Sequence, residues 1–184
     1  MSEAHKRRKQ PEIVRRNLLD HAARIAAESG ITAVTVQAVS SAAGVTKGGF
    51  NHHFPSKQAL IDALFQELLD DTEVVLTERI HADPEPYGAF TRAYLNFTLD
   101  PNIGVENGHW TSLAVLMLND PDLRQMWAEW FQVRLDTYRE TDIELSLVRL
   151  ATDGIWFSDI TGMALPDREQ LRQRLERSTL PREK

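Results

Sequence analysis

Side chains able to hydrogen-bond nucleic acid are concentrated in residues 35–57, which read TVQAVSSAAGVTKGGFNHHFPSK. The ammonium group of Lys47 can donate to O6 or N7 of guanine. The carboxamide of Asn51 can either bond a phosphate or pair in bidentate fashion with adenine. These residue types, four positions apart, predict contacts with DNA.

Two adjacent glycines, Gly48 and Gly49, lie between these two side chains. Each glycine costs a helix about 1 kcal/mol relative to alanine. They indicate either a loose, irregular turn or a backbone that must approach a base pair closely, with room left for a thymine methyl group. The motif that surrounds them favours the second interpretation.

The other titratable residues do not form an arrangement suited to catalysis or metal binding. His52 and His53 are adjacent, and adjacent residues of a helix point about 100° apart, so they do not predict a metal site. His81 and His109 are isolated, and the chain has no cysteine. One group of carboxylates fits a solvated helix face: Glu67, Asp70, Asp71 and Glu73. We therefore predict no catalytic residues, no cofactor and no metal, and a protein that is not an enzyme.

Two short helices are predicted to position the DNA-contacting side chains. The first begins after Thr35, a favourable N-cap, and ends before Gly44, where a left-handed C-cap residue belongs. Thr46 caps the second, in which Phe50 and Phe54 share an apolar face because they are four residues apart. Two short helices joined by a tight turn form a helix-turn-helix, whose second helix lies in the major groove of DNA.

The same segment resembles the TetR family of bacterial transcriptional regulators. The family signature combines a Gly-Val-Ser/Thr-Lys-Gly turn with a Tyr-x-His-Phe-x-Ser-Lys segment. In this chain the two parts read Gly44-Val45-Thr46-Lys47-Gly48 and Asn51-His52-His53-Phe54-Pro55-Ser56-Lys57. The resemblance is specific over about residues 11–65. One departure is Asn51, which stands where the family usually has a tyrosine that contacts phosphate.

The resemblance implies that Lys57, in the first turn of the following helix, binds phosphate. Thr35 and Gln37 are expected to touch the flanking backbone or a base. Phosphate contacts position a protein without selecting sequence, so Lys47 and Asn51 are expected to carry most of the specificity. The predicted DNA-contacting residues are Thr35, Gln37, Thr46, Lys47, Gly48, Gly49, Asn51, His52 and Lys57.

Charge is divided unevenly along the chain. The net charge of −6 combines +5 for residues 1–57 with −11 for residues 58–184. This asymmetry indicates one half that faces nucleic acid and an acidic half with another task. A uniformly acidic enzyme would not show this uneven distribution of charge.

Apolar residues recur mostly at intervals of three and four, so we predict an all-α protein of about nine helices. A basic flexible arm is expected over residues 1–10, with the first helix starting near Pro11. The basic run of the arm, residues 6–9, either keeps the terminus soluble or reaches DNA. An N-terminal helix-turn-helix DNA-binding domain is expected over residues 11–57, with the motif itself at 35–54. A C-terminal helical ligand-binding and dimerisation domain is expected over residues 58–184.

The helix predicted over residues 143–163 is the best candidate for a dimer interface. One of its faces carries Ile143, Leu147, Leu150 and Phe157, and another carries Leu145, Val148, Ile155 and Trp156. A helix that is apolar on more than one side must be buried on more than one side. The alternative is a core helix of a monomer; the resemblance favours a homodimer. The predicted interface residues are Leu147, Ala151, Gly154, Ile155, Ser158, Gly162, Leu171 and Leu175.

Aromatic residues are concentrated in the middle of the chain, where three of the four tryptophans fall within 21 residues. Core packing accounts for most of them. In the family this region holds an inducer pocket, so we predict a pocket for an unknown apolar or aromatic small molecule. The candidate lining residues are Phe90, Tyr94, Trp110, Leu113, Met117, Trp127, Trp130 and Phe131.

These observations predict a ligand-responsive repressor that binds a palindromic double-stranded DNA operator as a homodimer. One alternative is a helical small-molecule-binding or enzymatic protein whose helix-turn-helix is only a fold element. Another is a DNA-organising protein without sequence preference. No apolar run approaches the ~20 residues of a membrane span, and the charged N-terminus is not followed by an apolar segment. We therefore expect a cytoplasmic protein with no membrane partner.

Overall fold

The computed structural model describes residues 3–100 and 110–181, and within residues 3–10 it describes the backbone alone. These residues form nine α-helices and no β-strand, as predicted from the periodicity. The helices are α1 (Glu3–Ser29), α2 (Val36–Ala42), α3 (Lys47–His53), α4 (Lys57–Ala82), α5 (Ala89–Thr98), α6 (Trp110–Met117), α7 (Pro121–Tyr138), α8 (Ile143–Thr161) and α9 (Arg168–Ser178). A short 3-10 turn, Ile31–Ala33, follows α1. His109 lies outside the described residues.

Acidic side chains cap three of the later helices. The carboxylate of Asp120 accepts the backbone N–H groups of Asp122 and Leu123 at 3.0 and 3.2 Å, at the start of α7. Asp142 accepts the N–H of Leu145 at 3.0 Å at the start of α8. The carboxylate of Asp167 accepts the N–H of Gln170 at the start of α9. Each cap satisfies N–H groups that have no partner within the helix.

The first helix begins at Glu3 and not near Pro11, so residues 3–10 of the predicted flexible arm are helical. Their composition explains the difference, because Glu, Ala, Lys, Arg and Gln are strong helix formers. Pro11 therefore lies inside the helix, where it lacks the N–H that would bond four residues back. The side chains of the basic run lie outside the described residues.

The chain divides into two compact units. The first contains α1 to α3, the part of α4 up to Leu69, α6, and the beginning of α7 up to Met126. Its core includes the fully buried Leu18, Ala22, Val39 and Phe50. This division differs from the predicted boundary at residues 57/58, because α6 belongs with the N-terminal helices; the Ser112 hydroxyl donates to the Ala26 carbonyl of α1 at 3.4 Å.

The second unit contains the rest of α4 from Asp70, α5, α7 from Trp127, α8 and α9. Its apolar core brings Leu95 of α5 and Leu99, directly after that helix, against Ile155 of α8. Trp156, Leu165, Leu171 and Leu175 pack around that cluster. Helices α5, α8 and α9 are thus held together by one shared core.

Two buried ionic groups connect the helices of the second unit. Glu140, 3% exposed, accepts the backbone N–H groups of Phe90 and Thr91 at 2.9 Å each and the Thr91 hydroxyl at 2.6 Å. Arg149 of α8 donates to that same hydroxyl at 2.6 Å and to the Glu140 carbonyl at 3.0 Å. Burial lowers the pKa of Arg149, and the nearby Glu140 carboxylate opposes that shift. The start of α5 is therefore fixed to α8 through Glu140.

Candidate functional site

The turn between α2 and α3 has the conformation that its sequence predicts. The hydroxyls of Thr35 and Thr46 accept the N–H groups of Ala38 and Gly49 at 3.1 and 3.0 Å, so both are N-caps. Gly44 has a φ of +67°, the left-handed conformation that favours glycine. The helix-turn-helix is therefore set by local interactions.

Aromatic packing fixes the inner face of α3. Phe50 and Phe54 are buried, and their ring centroids lie 5.9 Å apart. The Arg15 guanidinium of α1 lies 4.9 Å from the centroid of the Phe54 ring. With this face held in the first unit, the opposite face of α3 points outward.

The predicted DNA-contacting residues are accessible on the surface. All of them are exposed except Gly49, which is partly buried: Thr35, Gln37, Thr46, Lys47, Gly48, Gly49, Asn51, His52 and Lys57. Gln37 donates to the Ser41 hydroxyl at 3.2 Å. Among the described residues, the side chains of Lys47 and Asn51 form no hydrogen bond or ion pair, so both are available to a ligand.

The protein's own packing does not require glycine at position 48 or 49. A Cβ at Gly48 would lie 3.8 Å from the Thr46 hydroxyl oxygen, and one at Gly49 would lie 3.5 Å from it, both ordinary contact distances. Neither residue has a positive φ. The bare backbone at these positions therefore needs an explanation outside the chain.

His52 and His53 lie at the carboxyl end of α3, with ring centroids 5.2 Å apart in an edge-to-face arrangement. His53 is partly buried, and this burial, followed by the charges of His52 and Arg15, lowers its pKa. Both border an open groove of about 340 Å³ whose other lining residues are Pro11, Ile13 and Val14. The lowered pKa of His53 favours its neutral imidazole.

Helix α8 has an exposed apolar stripe of its own. Ile143, Leu147, Leu150 and Phe157 are 70%, 54%, 67% and 46% exposed. Ala151, partly buried, and Gly154, exposed, lie beside them. A Cβ at Gly154 would meet no atom within 4 Å, so glycine is not required there by the protomer.

Four predicted interface residues take part in the packing of the chain itself. Ile155 and Ser158 are each 5% exposed, and Leu171 and Leu175 pack partly buried on the core around Ile155. Ile155 and Ser158 therefore lie on the inner face of α8, and their part in a dimer interface stays a prediction. Gly162 is exposed and has a φ of +71°, which the end of the helix requires.

Five of the predicted pocket residues form an aromatic cluster within the second unit. Phe131 lies 5.6 Å from Phe90, 5.3 Å from Tyr94 and 5.7 Å from Trp127, measured between ring centroids, and Trp127 stacks on Trp130 at 5.2 Å. Trp127 and Phe131 are partly exposed. The other three predicted residues, Trp110, Leu113 and Met117, belong to the first unit.

Three polar or aromatic neighbours of this cluster were missed by sequence reasoning. The Tyr94 hydroxyl donates to the Asp153 carboxylate at 2.5 Å, and burial raises the pKa values of both groups. The ring of Tyr138 stacks on Phe90 at 5.7 Å. Arg134 lies 4.4 Å over the Trp130 ring and pairs with Glu73. No local pattern marks Asp153 or Tyr138, because their partners lie on another helix. Arg134 follows Trp130 by four residues on α7, a spacing that could have indicated their contact.

The fold and the outward face of α3 define a helix-turn-helix protein with an attached helical domain. A family model described as bacterial regulatory proteins, tetR family, matches residues 18–64. A second, described as tetracyclin repressor-like, C-terminal domain, matches residues 88–179. The chain belongs to the TetR family.

Individual relatives agree with this assignment. Over 57 residues the chain is 44% identical to the HTH-type transcriptional repressor KstR2 of Rhodococcus jostii (strain RHA1). This match covers 31% of this chain and 28% of that protein. It is 32% identical over 119 residues to the HTH-type transcriptional repressor Rv1474c of Mycobacterium tuberculosis (strain ATCC 25618 / H37Rv). That match covers 62% of this chain and 57% of that protein. The matches thus span less than two thirds of either relative.

Solved structures share the fold. The crystal structure of the multidrug binding protein EbrR complexed with ethidium superimposes with a TM-score of 0.65 at 24% identity, covering 90% of this chain and 97% of that one. No helix within the described residues is long and apolar enough to cross a membrane.

Proposed function

We propose that this protein is a sequence-specific transcriptional repressor that binds a palindromic DNA operator as a homodimer and leaves it when a small apolar or aromatic ligand binds. The observation that carries the proposal is the outward face of α3, where Lys47 and Asn51 are exposed without a partner in the described chain. The repressors KstR2 and Rv1474c support the same role. Such a regulator acts on DNA in the cytoplasm, and the proposal involves no catalysed reaction.

In this proposal α3 enters the major groove, as the second helix of the motif does in other proteins. Lys47 and Asn51 meet base edges, and Gly48 and Gly49 let the backbone come close to them. Thr35, Gln37 and Lys57 contact the flanking phosphates, which fix position and add salt-dependent affinity. The positive balance of residues 1–57 supports this orientation.

A dimer would form through the exposed stripe of α8. One helix-turn-helix buries too little DNA surface for tight binding, so two copies on two half-sites are expected. Large apolar side chains such as Ile143 and Leu150, more than half exposed, are stabilised when a second copy covers them. Gly154, unexplained within the protomer, would allow two α8 helices to approach closely. The two-fold symmetry of the dimer would match a palindromic operator.

The ligand would bind at the aromatic cluster of the second unit. The partly exposed rings of Trp127 and Phe131 offer apolar surface, and the Tyr94–Asp153 pair offers polar atoms nearby. Binding would release the operator if the ligand prefers a dimer whose two α3 helices are wrongly spaced. Titration with a planar aromatic compound such as ethidium, followed by tryptophan fluorescence and operator binding, tests this part.

The first experiment is selection of bound sequences from random duplex DNA at physiological salt. The proposal expects an enriched inverted repeat whose half-site centres lie one helical turn, about 34–36 Å, or a multiple of it apart. Weak, strongly salt-dependent binding with no enriched motif would overturn it. Sedimentation of the free protein and of its DNA complex then gives the number of copies per site.

A further inference from the structure

Lys47 and Asn51 are placed as a pair for reading DNA. They are four residues apart in α3, so they lie on one face of the helix. Both are exposed, and in the part of the chain that the structure describes neither side chain has a partner to give up on binding. Both can therefore engage a ligand without loss of an existing contact.

One residue between them lets this face come close to its ligand. Gly48 is three residues before Asn51, beside the same face, and carries no side chain that would hold the backbone of α3 away from a base pair. Gly49 is two residues from both Lys47 and Asn51 and is partly buried on the other side of the helix. The nearest potential Cβ contacts of the two glycines, 3.8 and 3.5 Å, show that larger residues would fit within the protein. A helix that approaches closely can contact base edges with a short side chain. The asparagine side chain is short, because its carboxamide is bonded directly to Cβ.

The chemistry of asparagine selects one base over the others. Its amide nitrogen donates and its amide oxygen accepts, which matches N7 and the N6 amino group of adenine. A phosphate accepts hydrogen bonds and donates none at neutral pH, so it would use only half of the carboxamide. Lys47 offers donors alone, which match O6 and N7 of guanine.

Resting on the proposed function, we propose that Asn51 is a base-reading residue that selects an adenine in each half-site. We expect the adenine one or two base pairs from the guanine contacted by Lys47, since residues about three apart on a recognition helix can contact successive bases. Asn51 thus specifies sequence at the position where other members of the family usually have tyrosine.

The test compares selected sequences for the wild-type protein and three variants. Wild type should favour adenine at one half-site position by about tenfold or more. Asn51→Ala should lose preference at that position and keep it elsewhere. Asn51→Asp should move the preference from adenine to cytosine, since a carboxylate accepts from the cytosine N4 amino group. Asn51→Tyr should lose the adenine preference.

Lys57→Ala is the matched control, because it should weaken binding to all sequences alike. The inference is overturned if Asn51→Ala also weakens all sequences alike, or if Asn51→Asp leaves the adenine preference intact. Thermal unfolding of each variant checks that the fold is kept, as expected for an exposed side chain without partners. If wild type itself enriches no motif, the proposed function fails; an enriched motif that is insensitive to Asn51 overturns this inference alone.

Discussion

The packing of the chain does not explain why positions 48 and 49 of α3 are glycine. Gly44, only a few positions earlier, needs glycine because its φ is +67°. Gly48 and Gly49 have ordinary helical backbone and room for a Cβ. Glycine is thus required by the backbone conformation at position 44. At positions 48 and 49 we infer that it is required by the DNA complex.

Gly48→Ala and Gly49→Ala should each raise the free energy of unfolding by up to about 1 kcal/mol, because alanine is the better helix former. Gly48→Ala should also weaken binding to the selected operator, because the added methyl group meets the base pair. Gly49→Ala should weaken it less, because Gly49 is partly buried on the other side of the helix. Urea unfolding and operator titration of the same preparations measure the two effects. A variant that gains stability and binds DNA as before would show that the backbone does not approach a base pair there.

At the scale of single elements, the start of α5 is the most constrained part of the second unit. Gly88 precedes α5 with a φ of +73°, and a Cβ there would lie 2.3 Å from the Thr179 carbonyl oxygen after α9. Arg92 donates to that same carbonyl at 2.8 Å, to Asp83 at 2.7 Å and to the Glu85 carbonyl. The end of α9 is therefore held directly against the start of α5.

Gly88→Ala should destabilise the protein by clearly more than the about 1–2 kcal/mol that a left-handed alanine costs. The excess comes from the clash with the Thr179 carbonyl. Gly162→Ala is the matched control, since Gly162 has a similar φ of +71° but no atom within 4 Å of its potential Cβ. Equal loss of unfolding free energy in the two variants, measured in urea, would mean that the Thr179 contact relaxes without cost.

Loss of the buried Glu140 carboxylate should lower the free energy of unfolding more than loss of any surface ion pair. Glu140→Ala removes the acceptor of two backbone N–H groups and the partner of Arg149, so we expect a loss of about 3 kcal/mol or more. Glu169→Ala breaks an exposed pair with Arg172 and should change the melting temperature little. A similar small change for both variants would show that water replaces the Glu140 contacts.

At the scale of the whole molecule, the exposed stripe of α8 is the surface best suited to a second copy of the chain. It carries several of the largest exposed apolar side chains of the described chain. An apolar stripe of this kind is expected to be covered in solution. The proposed occupant is a second copy, which the two half-sites of an operator also require.

Leu150→Glu should convert the dimer to a folded monomer and reduce operator affinity by at least tenfold, because a charge would be buried in the interface. Val74→Glu places the same charge on α4, at a residue that is 58% exposed against 67% for Leu150. Sedimentation should show a monomer for the first variant and a dimer for the second. A Leu150→Glu protein that remains dimeric would place the interface elsewhere.

Local chemistry made much of this protein predictable from its sequence. Thr35, Gly44, Thr46, Phe50 and Phe54 act within a few residues of themselves, so their caps, turn and apolar face could be predicted, and with them the helix-turn-helix and the family. The start of α1 could not be predicted. Pro11 is typical of a first helical turn, but the strong helix formers before it extend the helix to Glu3 although proline lacks the N–H of an interior position.

Only the tertiary structure decided which side of α8 is free. The sequence places apolar residues on both faces, and the periodicity does not distinguish the face that packs on α5 from the one left open. The structure buries Ile155 against Leu95 and Leu99 and leaves Leu147 and Leu150 exposed. The same holds for Glu140, Tyr94 and Gly88, whose partners are distant in sequence. Sequence determined what depends on neighbours along the chain, and the fold decided what depends on neighbours in space.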